Sequence, residues 1–251
     1  MMGAFIRCLQ SEFYKLRRSL LFPIHFGVPV ITASLFLLYF WAVDRRAESQ
    51  ITGYIQLIAV AFPLMAATVL SISLDQEAKA GDYQGLFLPS MAKSGAHLAK
   101  LITLWTWGGI ACMLTVLGFG LVYLRLGRGG LTTIDYAFMT LLLWITSLPY
   151  YLLTYLIDLS LGREAAVASG LVGSLLSALL LTGLGDGLWG NLPWGIPVRC
   201  ASIFLEAMFQ SKEKTSHGLL TNYGWSFLFI SLLLFGIFIL YTGRWESKGK
   251  K

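Results

Sequence analysis

Six stretches of the chain, 20–43, 52–74, 101–124, 136–157, 165–185 and 223–243, contain no Asp, Glu, Lys or Arg. Each exceeds the ~18 apolar residues that mark a membrane-spanning candidate. A hydrocarbon slab about 30 Å thick offers backbone amides no water, so runs of this length must cross it as helices. Composition agrees: 13% of the 251 residues are charged and 56% hydrophobic, against about 25% charged in a soluble domain. The expectation is an all-α integral membrane protein with six transmembrane helices in one membrane domain, residues 20–251, after an N-terminal segment, 1–19. The first window is read as a retained span rather than a signal peptide, because its head carries Glu12 and no small-residue cleavage site follows.

An even number of spans puts both termini on one side, and the bias of Lys and Arg decides which. On the termini side lie Arg7, Lys15, Arg17, Arg18, Lys79, Lys93, Lys100, Arg163, Arg244, Lys248, Lys250 and Lys251, 12 in all, against 7 on the other. Both termini are therefore expected in the cytoplasm of a plasma membrane protein. The net charge of +6 reads as a topology and lipid-headgroup signal, not as nucleic-acid binding. Cys8, Cys112 and Cys200 are expected in the head, a span and an outer loop, which leaves no disulfide framework.

Four segments depart from plain spans. Phe5, Leu9, Phe13, Leu16 and Leu20 form an apolar stripe beside Arg7, Glu12, Lys15, Arg17 and Arg18, the pattern of an amphipathic helix lying in the inner interface. The inner loop from Asp75 to Lys100 holds Glu77, Lys79, Asp82, Lys93 and His97 around Leu86, Phe87 and Leu88. A short helix at 76–88, ended by Pro89, would offer these to a cytoplasmic partner; a solvated connector is the alternative. Small residues recur every four positions at Gly162, Ala166, Gly170, Ser174 and Ala178, with a second row at Ala165, Ser169, Gly173 and Ser177. Close helix approach requires such a row, within the bundle or across a subunit interface. The outer segment 186–221 is apolar, with Trp189, Trp194, Ile203, Phe204 and Phe209, and is interrupted by Pro193 and Pro197. A re-entrant or interfacial helical hairpin is expected there, with its Trp residues at headgroup depth and Arg199 and Glu206 either sharing a helix face or forming a surface ion pair.

Catalytic signatures are missing. No stretch matches GxxxxGK[ST], HExxH or GxSxG. Gly185-Asp186-Gly187-Leu188-Trp189-Gly190 fits GxGxxG, but with no strand before it the segment reads as a loop. His25, His97 and His217 are scattered, and no metal site is expected. The charge-free windows lack the buried carboxylates that ion-coupled carriers keep as relays, so energy for transport has to come from another protein.

The parts together resemble an ABC-2 type permease: the inner helix with Ser11-Glu12-Phe13-Tyr14-Lys15-Leu16-Arg17-Arg18-Ser19, six spans, the loop with Glu77, Gly81, Leu86 to Pro89, Lys93 and Lys100, and an outer re-entrant region before the last span. Its compact length and Leu192-Pro193-Trp194-Gly195-Ile196-Pro197-Val198-Arg199 are similar to the lantibiotic-immunity permeases, with bacitracin-resistance permeases as near relatives. The resemblance implies a bacterial transport subunit without a cofactor of its own, paired with a second, related six-span chain and a homodimeric P-loop ATPase that binds ATP and Mg. It implies a coupling surface at Glu77, Lys79, Gly81, Asp82, Leu86 and Phe87, braced by Glu12, Phe13, Lys15, Arg17 and Arg18. The peptide substrate is then expected to touch Trp189, Trp194, Phe204 and Phe209. A lipid or polysaccharide substrate, a secondary carrier and a scaffold subunit are the competing readings.

Overall fold

A computed structural model describes residues 2–43, 45–86, 92–210 and 213–246, with side chains for 3–43, 45–86, 92–209 and 223–246. The described residues are helical, without strands. Helix α1 (Met2–Arg17) is followed by the spans α2 (Leu21–Ala42) and α3 (Ala47–Gly81). The third span is α4 (Lys93–Cys112), a π-helical segment (Met113–Gly118) and α5 (Phe119–Arg125); the fourth is α6 (Thr133–Thr146) and α7 (Leu148–Leu161), jointed at Ser147. Then come α8 (Arg163–Leu180), α9 (Gly195–Gln210) and α10 (Glu213–Arg244). Six units are long and apolar enough to cross a membrane.

The helices outrun the charge-free windows, which corrects the expected loop. Asp75, Glu77, Lys79 and Gly81 belong to the last turns of α3, and Lys93, His97 and Lys100 to the first turns of α4. Instead of a helix at 76–88, there is a 3₁₀ turn at Gln84–Leu86. Asp158 corrects the picture of spans free of carboxylates: it is buried on α7. Cys200 lies buried on α9 rather than in a loop.

Packing centres on α3, and among the described residues its crossing with α8 is the most extensive helix–helix contact. Ala166, Gly170 and Ser174 are buried on α8, and the latter two meet α3. A Cβ on Gly170 would strike Ala67 Cβ and the Pro63 carbonyl, and the Ser174 hydroxyl accepts the Leu64 amide, 3.2 Å. This row thus packs inside the chain. Ala178 is exposed instead, and Gly162, with φ +93°, forms the turn between α7 and α8. The second half of the second row meets the segment after α8: Trp194 lies against Gly173, and Ser177 donates to the Trp194 carbonyl.

Helix α9 begins at Gly195, so Pro197 falls in its first turn. There the missing N–H has no helical acceptor to lose, and the helix runs 16 residues through it. Ile196, Val198, Ala201 and Leu205 are buried, on a helix that touches α3, α6, α8 and α10.

Candidate functional site

The stripe expected on α1 is rotated in the structure. Cys8, Glu12 and Leu16, four residues apart, are its buried face, while Leu20 is 74% exposed. A glutamate at a buried position has to be paired, and the partners come from two spans. Lys100 of α4, with 4% of its side chain exposed, places its ammonium 3.0 Å from both Glu12 Oε2 and Glu77 Oε1. Lys15 donates to Glu12 Oε1 at 2.7 Å and Glu77 Oε1 at 2.9 Å, with 44% of its side chain in contact with solvent. Two carboxylates and two ammoniums therefore form a neutral closed set joining α1, α3 and α4. Burial opposes the Lys15 charge, but the hydrogen bonds and charges of Glu12 and Glu77 outweigh it and hold the ammonium above its ordinary pKa.

The end of α3 folds back onto this set. Asp82 and Tyr83, at φ +50° and +64°, sit in left-handed conformations that a bulky residue adopts only under strain. They reverse the chain so that Leu86 enters a fully buried position beside Cys8, Ala96 and Ala99. A Cβ on Gly85 would lie 3.2 Å from Glu77 Oε2 and 3.5 Å from Lys15 Nζ, so the turn's backbone rests on the ion cluster. Tyr83 is held edge-on by Trp245, ring centroids 5.0 Å apart. Trp245 donates to the Leu159 carbonyl, 3.2 Å, and His97, beside it, hydrogen-bonds Tyr155, 2.9 Å. Thus α7 and the end of α10 join the same junction.

The coupling residues expected from sequence divide accordingly. Glu77 and Leu86 are interior and cannot be docking contacts. Lys79, paired to Asp75 at 2.7 Å, and Asp82 are on the accessible surface with Gln84 and Gly85; Gly81 is half-buried, and Phe87 lies outside the described residues. Of the α1 set, Phe13 packs on Trp107 with centroids 6.0 Å apart, and Arg17 and Arg18 are exposed. Lys100 was the member missed as a site residue, because the sequence reads it as a flanking charge.

On the far side, Arg199 binds the Leu180 and Thr182 carbonyls and Asp186. It closes the end of α8, where orphan carbonyls attract a cation; Arg199 and Glu206 both lie on α9, and the ion pair of Arg199 is with Asp186. The four proposed substrate residues are divided among three apolar clusters, with Phe204 and Phe209 on the same one. Trp189 is buried against Tyr223, Trp194 joins the cluster around Tyr151 and Phe238, Phe204 meets Phe138 at 5.0 Å, and Phe209 lies beside Gly130.

Against known proteins, the family model described as "ABC-2 family transporter protein" matches residues 8–184. That range takes in α1 from Cys8 onward, the ion cluster and the turn after α3. No curated protein and no solved structure matches the chain.

Proposed function

Because the chain belongs to the ABC-2 family of transporter proteins, we propose that it is a permease subunit of a bacterial exporter driven by a separate cytoplasmic ATPase. A second six-span permease completes the membrane part, and both termini lie in the cytoplasm. The partner ATPase, a homodimer, holds ATP and Mg. The cargo is a lantibiotic or similar antimicrobial peptide, expelled from the membrane of the cell that must resist it.

One observation carries this reading: the turn after α3 is exposed on one side and seated on the Glu12–Lys15–Glu77–Lys100 cluster on the other. An ATPase pressing on Lys79, Asp82 and Gln84 pushes a rigid junction that already joins three helices. Partner binding shifts a permease only by its differential affinity for the two states, and a stiff junction transmits that difference to α3 and α4 together. The apolar face around α9, on the opposite side of the membrane, suits an amphipathic peptide taken from that leaflet.

The test is affinity purification of the solubilised chain from its native membrane, with mass spectrometry of partners and an ATPase assay with and without peptide. Recovery of a P-loop ATPase and a second six-span chain, with peptide-stimulated hydrolysis, is expected. ATPase activity that answers to a lipid or polysaccharide but not to peptide replaces the cargo. A lone chain without ATPase activity defeats the proposal in favour of a carrier or scaffold.

A further inference from the structure

Between α2, α3, the third span and Tyr151 of α7 lies a cavity of about 320 Å³, within the range of small-molecule sites. Its wall on α3 runs from Leu57 to Val69, about 18 Å at 1.5 Å per residue, the length of an extended alkyl chain. Two of the polar side chains around it are engaged elsewhere: Thr115 donates to the Ala111 carbonyl, 2.8 Å, and His25 Nδ1 is engaged by the Leu21 carbonyl, 2.7 Å. The walls therefore present mostly C–H surface.

Two interruptions of regular helix line this space, Pro29 in α2 and the π-helical segment through Thr115, and Pro63 of α3 follows its lining residue Phe62. Irregular backbone at membrane depth belongs beside protein or a cavity, so the gap is built into the helices rather than left by poor packing. Its rim is formed by Val28, Leu57 and Met65, 40%, 48% and 37% exposed. All three lie in spans, where the surrounding medium is lipid chain. A void forfeits the dispersion contacts of its lining, and a lipid chain restores them at no desolvation cost.

We infer that this groove holds one acyl chain of a bilayer phospholipid. The α2 wall, Ile24 to Thr32, lies in the half of that span nearest α1, while the α3 wall, Leu57 to Val69, straddles the middle of window 52–74, so the acyl chain lies across the middle of the bilayer. The site wedges α2 away from α3 and is independent of which cargo is transported.

The experiment reconstitutes the full chain, with whatever subunits copurify, in nanodiscs containing a phospholipid with a diazirine in mid-acyl chain. After irradiation, adducts are mapped by mass spectrometry. Adducts on 57–65 are expected to exceed those on the lipid-facing residues 228–240 of α10 by at least about fivefold, a preference near 1 kcal/mol. Ala61→Trp, which fills the groove from its rim, should bring the ratio to one, as should Thr32→Trp from the opposite wall. Equal labelling of the two segments in the unsubstituted chain refutes the inference without recourse to either variant. Labelling of the groove by a diazirine fatty acid but not by the phospholipid refutes the lipid source, and crosslinks from 57–65 to a second permease chain show that a helix fills the groove instead.

Discussion

Replacing Lys100 with Met removes the one ammonium that is buried between Glu12 and Glu77, while keeping the length of the side chain. Both carboxylates are interior, at 4% and 9% exposure, and the remaining cation is half-exposed Lys15. The set changes from neutral to one net negative charge. Removing one partner of a buried pair costs about 3–5 kcal/mol, because the other charge stays desolvated. Removing Lys15 by the same substitution costs under about 1 kcal/mol, since solvent already screens it. The consequence is release of α1, and Cys8 reports it: its thiol is buried beside Leu86, Ala96 and Ala99. In a background with Cys112 and Cys200 replaced by Ala, maleimide labelling of Cys8 follows the population of the opened state when closing is fast. At tenfold per 1.4 kcal/mol, Lys100→Met should accelerate labelling by roughly a hundred- to several-thousand-fold, and Lys15→Met by no more than about fivefold. Adding Glu77→Gln to Lys100→Met restores neutrality and should recover much of the loss. Equal rates for the two lysine variants, or no acceleration in Lys100→Met, would refute the assignment of the cluster as the clamp on α1.

Gly170→Val should lower stability by about 1–3 kcal/mol through overpacking, because the added side chain meets backbone of α3; thermal unfolding in detergent measures it, and an unchanged midpoint argues against the tight α3–α8 crossing. Arg199→Ala leaves the last carbonyls of α8 without their cation, and hydrogen exchange should quicken at 180–186 while the first turns of α8 are unaffected. Tyr54→Phe removes the hydroxyl that donates to the Thr115 carbonyl at 2.7 Å and should cost about 0.5–1.5 kcal/mol, read as a lower unfolding midpoint. The raised pKa of Lys15 means its stabilisation is complete below the unfolded value near 10.4 and is lost as pH rises through the higher folded value. Attachment of α1, measured by hydrogen exchange corrected for intrinsic rates, should therefore not weaken from about pH 6 to 9 on account of Lys15.

The charge-free windows located the six spans because hydrocarbon imposes one requirement on each of them separately. Window 20–43 corresponds closely to Leu21–Ala42. The same criterion failed at helix ends, where a charge can remain inside if another element neutralises it. Glu77 and Lys100 looked like loop residues because their partners, Glu12 and Lys15, are 62 to 88 positions away. Glu12 looked solvated for the same reason. Pro197 was read as a breaker because its place in a first turn depends on where the helix starts. The row Ala166, Gly170, Ser174 was legible as a close-packing face, but its partner, α3, was not. The groove had no sequence signature, since its lining is gathered from four separated helices.

The π-helical segment Met113–Gly118 has a further consequence for the third span. A π turn accommodates one residue more than an α turn, and one residue corresponds to about 100° around a helix axis. The face that Phe119 and Tyr123 turn toward Tyr54 and Gln50 is therefore phased independently of the face that Lys100 and Leu104 present at the α1 end. Deleting one residue within 113–118 lets the span relax to a regular helix with both faces kept in register, whereas the same deletion in α4 or α5 rotates one half against the other. Tolerance to single-residue deletion should therefore be concentrated in those six positions.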